Sequence, residues 1–107
     1  MKKRSGDYQK YLIESLKDPV EATNYLNAAL EEKDDPQAFL VALRNVAEAQ
    51  GMGKVAKAAD LNRESFYRML SDMGNPRFSS LKAVLGALGL SLRVGSNKIS
   101  GASPLRR

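Results

Sequence analysis

The residues best equipped for chemistry cluster between positions 54 and 77: Lys54, Lys57, Asn62, Arg63, Glu64, Ser65, Tyr67, Arg68, Asn75 and Arg77. Their chemistry is recognition. An arginine can grip the O6/N7 edge of guanine in a bidentate pair, and a glutamate can accept from cytosine N4. Serine and tyrosine can reach phosphates or thymine methyls, and lysines meet phosphates as point charges. The 107-residue chain has no Cys and no His. That excludes disulfides, thiolate metal sites and any Ser-His-Asp or Cys-His arrangement. The acids Glu31, Glu32, Asp34 and Asp35 lack a third ligand at useful spacing and read as a helix exit. The expectation is a non-enzyme with no cofactor and no metal.

Charge is divided unevenly along the chain. The net charge is +5 and the pI about 9.6. Residues 1–50 hold seven Lys/Arg against nine Asp/Glu, whereas residues 51–107 hold ten against three. A basic half beside an acidic one is the electrostatic footprint of a nucleic-acid face. No apolar run approaches the roughly 18–20 residues that span a bilayer. The opening MKKRSGDYQKYL has basic residues but no apolar stretch, so it does not read as a signal peptide. A cytoplasmic location without membrane association is expected.

The elements that must position these residues are helices. Tyr8, Tyr11, Leu12 and Leu16 give a first helix over about 7–16. Asp18-Pro19 opens a second, with Asp as N-cap and Pro in the first turn. Its apolar set is Ala22, Tyr25, Leu26, Ala29 and Leu30. Asp35-Pro36 repeats that start signal for a third, with Phe39, Leu40, Leu43, Val46 and Ala47 inward and Gly51 as the stop. The aromatics Tyr8, Tyr11, Tyr25 and Phe39 read as a packing layer between these three helices. A fourth helix is expected from Gly53 to Ala59, a fifth from its cap Asn62 to Ser71, and a sixth over about 79–88 that Gly89 stops. Leu90 to Val94 alternates apolar and polar, which suits a short strand or an extended tail. The Ser/Gly-rich end is expected to be disordered.

The string GKVAKAADLNRESFYRML (53–70) meets the demands of a helix-turn-helix. Ala56 is small where a second helix must cross, and Leu61 plugs the turn. Phe66, Met69 and Leu70 anchor the second helix from within. That leaves Asn62, Arg63, Glu64, Ser65, Tyr67 and Arg68 facing out, as a recognition helix presents its N-terminal residues to the major groove. Lys54 and Lys57 are placed for backbone phosphates, beside the free amides of their own helix. Asn75, Arg77 and Ser79, just beyond the recognition helix, are further phosphate candidates. A plain helical hairpin with a solvated charged face would share much of this pattern.

This segment resembles the phage-repressor (Xre/Cro-like) helix-turn-helix. More narrowly, LNRESFYRMLS (61–71), GNPRF (74–78) and LGALGL (85–90) resemble the probable addiction-module antidote family. ATNYLNAALEE (22–32), DPQAFL (35–40) and AEAQGM (47–52) are also similar to it, so the resemblance covers about residues 18–95. Two departures stand out. Relatives usually carry a Thr or Ser cap and often a Gln where this chain has Met52-Gly53-Lys54, and a Ser or Thr where it has Asn62.

The resemblance implies an all-α fold of five to six helices with a lambda-repressor-like core. Residues 1–34 would form an N-terminal helical extension, 35–95 the DNA-binding domain and 96–107 a tail. It further implies an antitoxin of a type II toxin-antitoxin module that represses its own operon and binds a small basic toxin of the RelE/ParE type. The acidic helices between Asp7 and Asp35 would suit that toxin electrostatically. Partners are then an operator of double-stranded DNA, the toxin and a second copy in a homodimer. The apolar residues of the sixth helix and of 90–94 are candidates for the dimer contact. Two alternatives stay open: a stand-alone prophage regulator with no toxin, and a protein-interaction antidote that does not bind DNA.

Overall fold

A computed structural model describes residues 5–96, so the expected tail falls outside the described residues except for Ser96. Six α-helices make up the described chain, with no strand among them: α1 (Ser5–Ser15), α2 (Pro19–Leu30), α3 (Ala38–Gln50), α4 (Met52–Ala58), α5 (Arg63–Met69) and α6 (Phe78–Ala87). Helix α3 is the spine. It packs against α1, α2 and α4, and α4 in turn holds α5 and α6. None of the described helices is long and apolar enough to cross a membrane.

One continuous apolar core links all six. Its largest fully buried side chains are Leu16, Leu43, Val46, Phe66, Leu70 and Val84, drawn from the end of α1 through to α6. The helical stripe of α3 is buried at Leu40, Leu43, Val46 and Ala47, with Phe39 partly so. Each such side chain contributes about 1.5–3 kcal/mol of hydrophobic stabilisation. No polar or charged side chain among the described residues is buried, so the core carries no desolvation cost of that kind.

The starts and stops follow local chemistry. Asp18 accepts a hydrogen bond from the Val20 N–H at 2.9 Å and Pro19 takes the first helical position. Gly51 ends α3 and caps the start of α4, at φ +106°, a conformation nearly closed to residues with a Cβ. Gly89, also at positive φ, follows the last turn of α6.

Three expectations need correction. Asp35-Pro36 does not cap α3: the helix begins at Ala38, and Asp35 contributes only its carbonyl, which accepts from the Ala38 N–H at 3.0 Å. The intervening residues make a turn closed by that bond, with Gln37 in helical dihedrals and its side chain bonded to the Gly74 carbonyl instead of capping the helix. Tyr8 and Tyr11 do not join a packing layer. They are 56 % and 65 % exposed, because α1 meets the core through Leu12 and Leu16. Tyr25 and Phe39 do pack partly against the core. Finally, of the two forms open to Leu90–Val94, a short strand or an extended tail, the strand is not formed, since no neighbouring segment supplies the ladder it needs.

Candidate nucleic-acid interface

Helices α4 and α5 meet at a turn built by backbone hydrogen bonds. The Leu61 N–H donates to the Ala56 carbonyl at 2.8 Å, and the Asp60 N–H donates to Lys57 at 3.1 Å. This pair of bonds is a Schellman closure. It places Asp60 in the left-handed region, at φ +60°, where aspartate is among the few non-glycine residues that go readily. Leu61 then turns inward onto the core. Asn62 follows with extended dihedrals, and its Oδ1 accepts from the Ser65 N–H at 2.8 Å. That cap satisfies one of the free donors at the start of α5 and contributes about 1 kcal/mol.

Phe66 and Leu70, both fully buried, fix which way α5 faces. Asn62, Arg63, Glu64 and Arg68 are consequently exposed, and Ser65 is half-buried. Tyr67 is turned toward α3. Its ring packs partly on the core and carries the Arg44 guanidinium 5.4 Å from its centroid. Arg44 in turn lies 3.6 Å from Glu48.

Two shallow depressions flank α5. One is lined by Lys57, Asp60, Asn62 and Arg63 over the floor of Gly53 and Ala56. Arg63 reaches back across α4: a Cβ on Gly53 would sit 3.7 Å from its Nη1. The other is lined by Ser65, Arg68 and Met69 on one side and Gly74, Asn75 and Pro76 on the other. The structure thus brings Lys57, Asn62 and Arg63 together, and separately Ser65, Arg68 and Asn75. Lys54, Glu64 and Arg77 are exposed nearby but line neither depression. Arg77 occupies the N-cap position of α6 without a side-chain bond to it. Among the described residues, the side chains of Lys54, Lys57, Arg63, Glu64, Arg68, Asn75 and Arg77 have no ion pair or hydrogen bond within the chain. The face presents five cations free to meet an external anion.

The loop after α5 is held from a distance. The Gln37 side chain donates through Nε2 to the carbonyls of Asp72 at 3.0 Å and Gly74 at 2.9 Å. Gly74 is buried so tightly that a Cβ would lie 2.1 Å from the Met69 carbonyl oxygen. Sequence reasoning missed Gln37 and Arg44. The signal for Gln37 was its place at the start of α3, where a glutamine is a poor cap and so has its side chain free. For Arg44 no local signal existed, because its aromatic partner lies on another helix.

The fold and this face define a small all-helical protein with a basic, unpartnered surface built around a short helix pair. Residues 7–96 match the family described as probable addiction module antidote protein, and the chain belongs to that family. It is also 36 % identical over 89 residues to an uncharacterized protein of Haemophilus influenzae, covering 83 % of this chain and 91 % of that one. No solved structure matches the chain. Membership implies an antitoxin role in an addiction module, with a toxin as partner. The family is one of antidotes, a role that calls for binding.

Proposed function

We propose that α4 and α5 form an Xre/Cro-like helix-turn-helix, and that the protein is an antitoxin that represses its own operon by sequence-specific DNA binding. The observation that carries this is the orientation of α5. Phe66 and Leu70 lock it to the core while Arg63, Glu64 and Arg68 face solvent without partners. In the major groove, Arg63 and Arg68 read guanine edges and Glu64 accepts from cytosine, with Asn62 and Ser65 beside them. Lys54, Lys57, Asn75 and Arg77 neutralise phosphates on either side. Tyr67, held against Arg44, supports the helix from behind and leaves at most its hydroxyl for a backbone contact. The chain acts as a homodimer on a near-palindromic operator, with half-sites about one helical turn apart. A small basic toxin of the RelE/ParE type docks on the acidic α1–α2 side.

The test is fluorescence anisotropy with the promoter region upstream of the gene. Arg63→Ala and Arg68→Ala should each weaken specific binding by about 1–3 kcal/mol, roughly 5- to 150-fold. Binding that survives both changes at moderate salt refutes the recognition-helix assignment. No binding even at low salt would favour the protein-interaction antidote. Co-purification with the product of the adjacent gene tests the toxin partner, and its failure would favour the stand-alone regulator.

A further inference from the structure

The backbone gives Gly53 no reason to be glycine. It stands in the first turn of α4, and its φ is not positive. A residue with a Cβ adopts that conformation without strain, and glycine in a helix is less stable than alanine. Among the described residues, a Cβ at this position would come within 4 Å of one group only, the Arg63 guanidinium, with Nη1 at 3.7 Å and Cζ at 4.0 Å. The floor of the depression at the start of α5 is therefore bare, and Arg63 lies over it beside Lys57 and Asn62. No ion pair or hydrogen bond within the described chain fixes the Arg63 side chain. Arg68 differs. It lines the other depression, to which α4 contributes no residue.

We infer that Gly53 is a positioning residue for Arg63: the space left by its missing side chain lets the guanidinium lie back along α4, and that resting place sets the base edge the guanidinium meets. The inference rests on the DNA-reading role proposed above for Arg63. A guanidinium grips guanine O6/N7 through two parallel hydrogen bonds, so its direction of approach matters as much as its distance. A side chain at position 53 that extends beyond Cβ takes the space the guanidinium holds. Arg63 is exposed and flexible, so it moves aside at little cost to the fold but then approaches the groove along another line. Alanine is the instructive intermediate. Its Cβ at 3.7 Å from Nη1 is in ordinary van der Waals contact, which leaves Arg63 in place. Arg68 lies outside the reach of any residue at 53. A larger side chain there therefore alters the reading of one base pair and spares the other.

The test compares Gly53→Ala and Gly53→Leu with the parent chain by fluorescence anisotropy, on the promoter operator and on copies carrying single base-pair substitutions. The base pairs read by Arg63 and Arg68 are those at which Arg63→Ala and Arg68→Ala lose discrimination. At the Arg63 base pair the parent should discriminate by about 5- to 150-fold. Gly53→Ala should keep that preference, and Gly53→Leu should fall to about twofold or less. At the Arg68 base pair both should match the parent, as should their thermal melting. Added to Arg63→Ala, Gly53→Leu should change nothing further. Without DNA, nuclear Overhauser contacts between the Arg63 side chain and the Gly53 Hα protons should be present in the parent. Their absence overturns the proposal. So does unchanged discrimination in Gly53→Leu, an equal loss at both base pairs, or a further loss in the double variant. A parent chain that binds no operator at low salt, or an Arg63→Ala that loses discrimination nowhere, defeats the DNA-reading role of Arg63, and the inference falls with it. Normal binding with unchanged discrimination in Gly53→Leu defeats the inference alone.

Discussion

At the scale of single residues, two backbone positions govern the helix pair in opposite ways. Asp60 holds a left-handed conformation that costs an L-residue up to about 1–2 kcal/mol, less for aspartate. Asp60→Gly removes the Cβ that causes the cost. It should raise the stability by about 0.5–1 kcal/mol, seen as a melting temperature higher by a few degrees. Gly74 is the reverse case. Its φ is unremarkable, but a Cβ would overlap the Met69 carbonyl. Gly74→Ala must push the loop off α5 and should cost about 1–3 kcal/mol in urea titration. The reason for a glycine thus differs between sites: backbone angle at Gly51, space at Gly74.

At the scale of elements, the helices were legible where punctuation was local. Asp18-Pro19, Gly51, Asn62 and Gly89 each act within a few residues of themselves, and each marks a boundary to within a residue or two. The inward stripe of α3 followed from its spacing alone. Legibility failed where the answer depended on a distant segment. Tyr8 and Tyr11 share a helical face, but spacing cannot say whether another helix covers it. Asp35-Pro36 looked like a cap, while the residue that matters there, Gln37, bonds to a loop 35–37 positions away. In the candidate site, the exposed positions on α5 were legible because buried Phe66 and Leu70 leave one face outward. The stacking of Tyr67 under Arg44 was not. Gln37 supplies a prediction at this scale. Gln37→Ala deletes two hydrogen bonds to the 72–74 loop and should cost about 1 kcal/mol. Amide exchange should accelerate at residues 72–77 while α5 keeps its protection, and operator affinity should fall although no residue of α5 has changed.

At the scale of the whole molecule, charge is segregated, with acids concentrated toward α1–α2 and free cations around α4–α6. DNA binding driven by phosphate neutralisation loses affinity linearly with the logarithm of salt. Arg77→Ala should flatten that slope by about 0.9 per protomer if its contact is to phosphate, and should weaken all DNA sequences alike. An unchanged slope with altered sequence preference would instead place Arg77 at a base edge. The segregation also sits on an unusual joint. The Gly51 N–H is bonded backward to Ala47 at 2.8 Å, while its carbonyl is bonded forward to the Val55 N–H at 3.0 Å. One residue therefore belongs to two helices at once, and no slack separates them. The end of α3 and the start of α4 therefore share one residue's backbone bonds. No loop stands between the arm on which α1 and α2 are seated and the helix that carries Lys54 and Lys57.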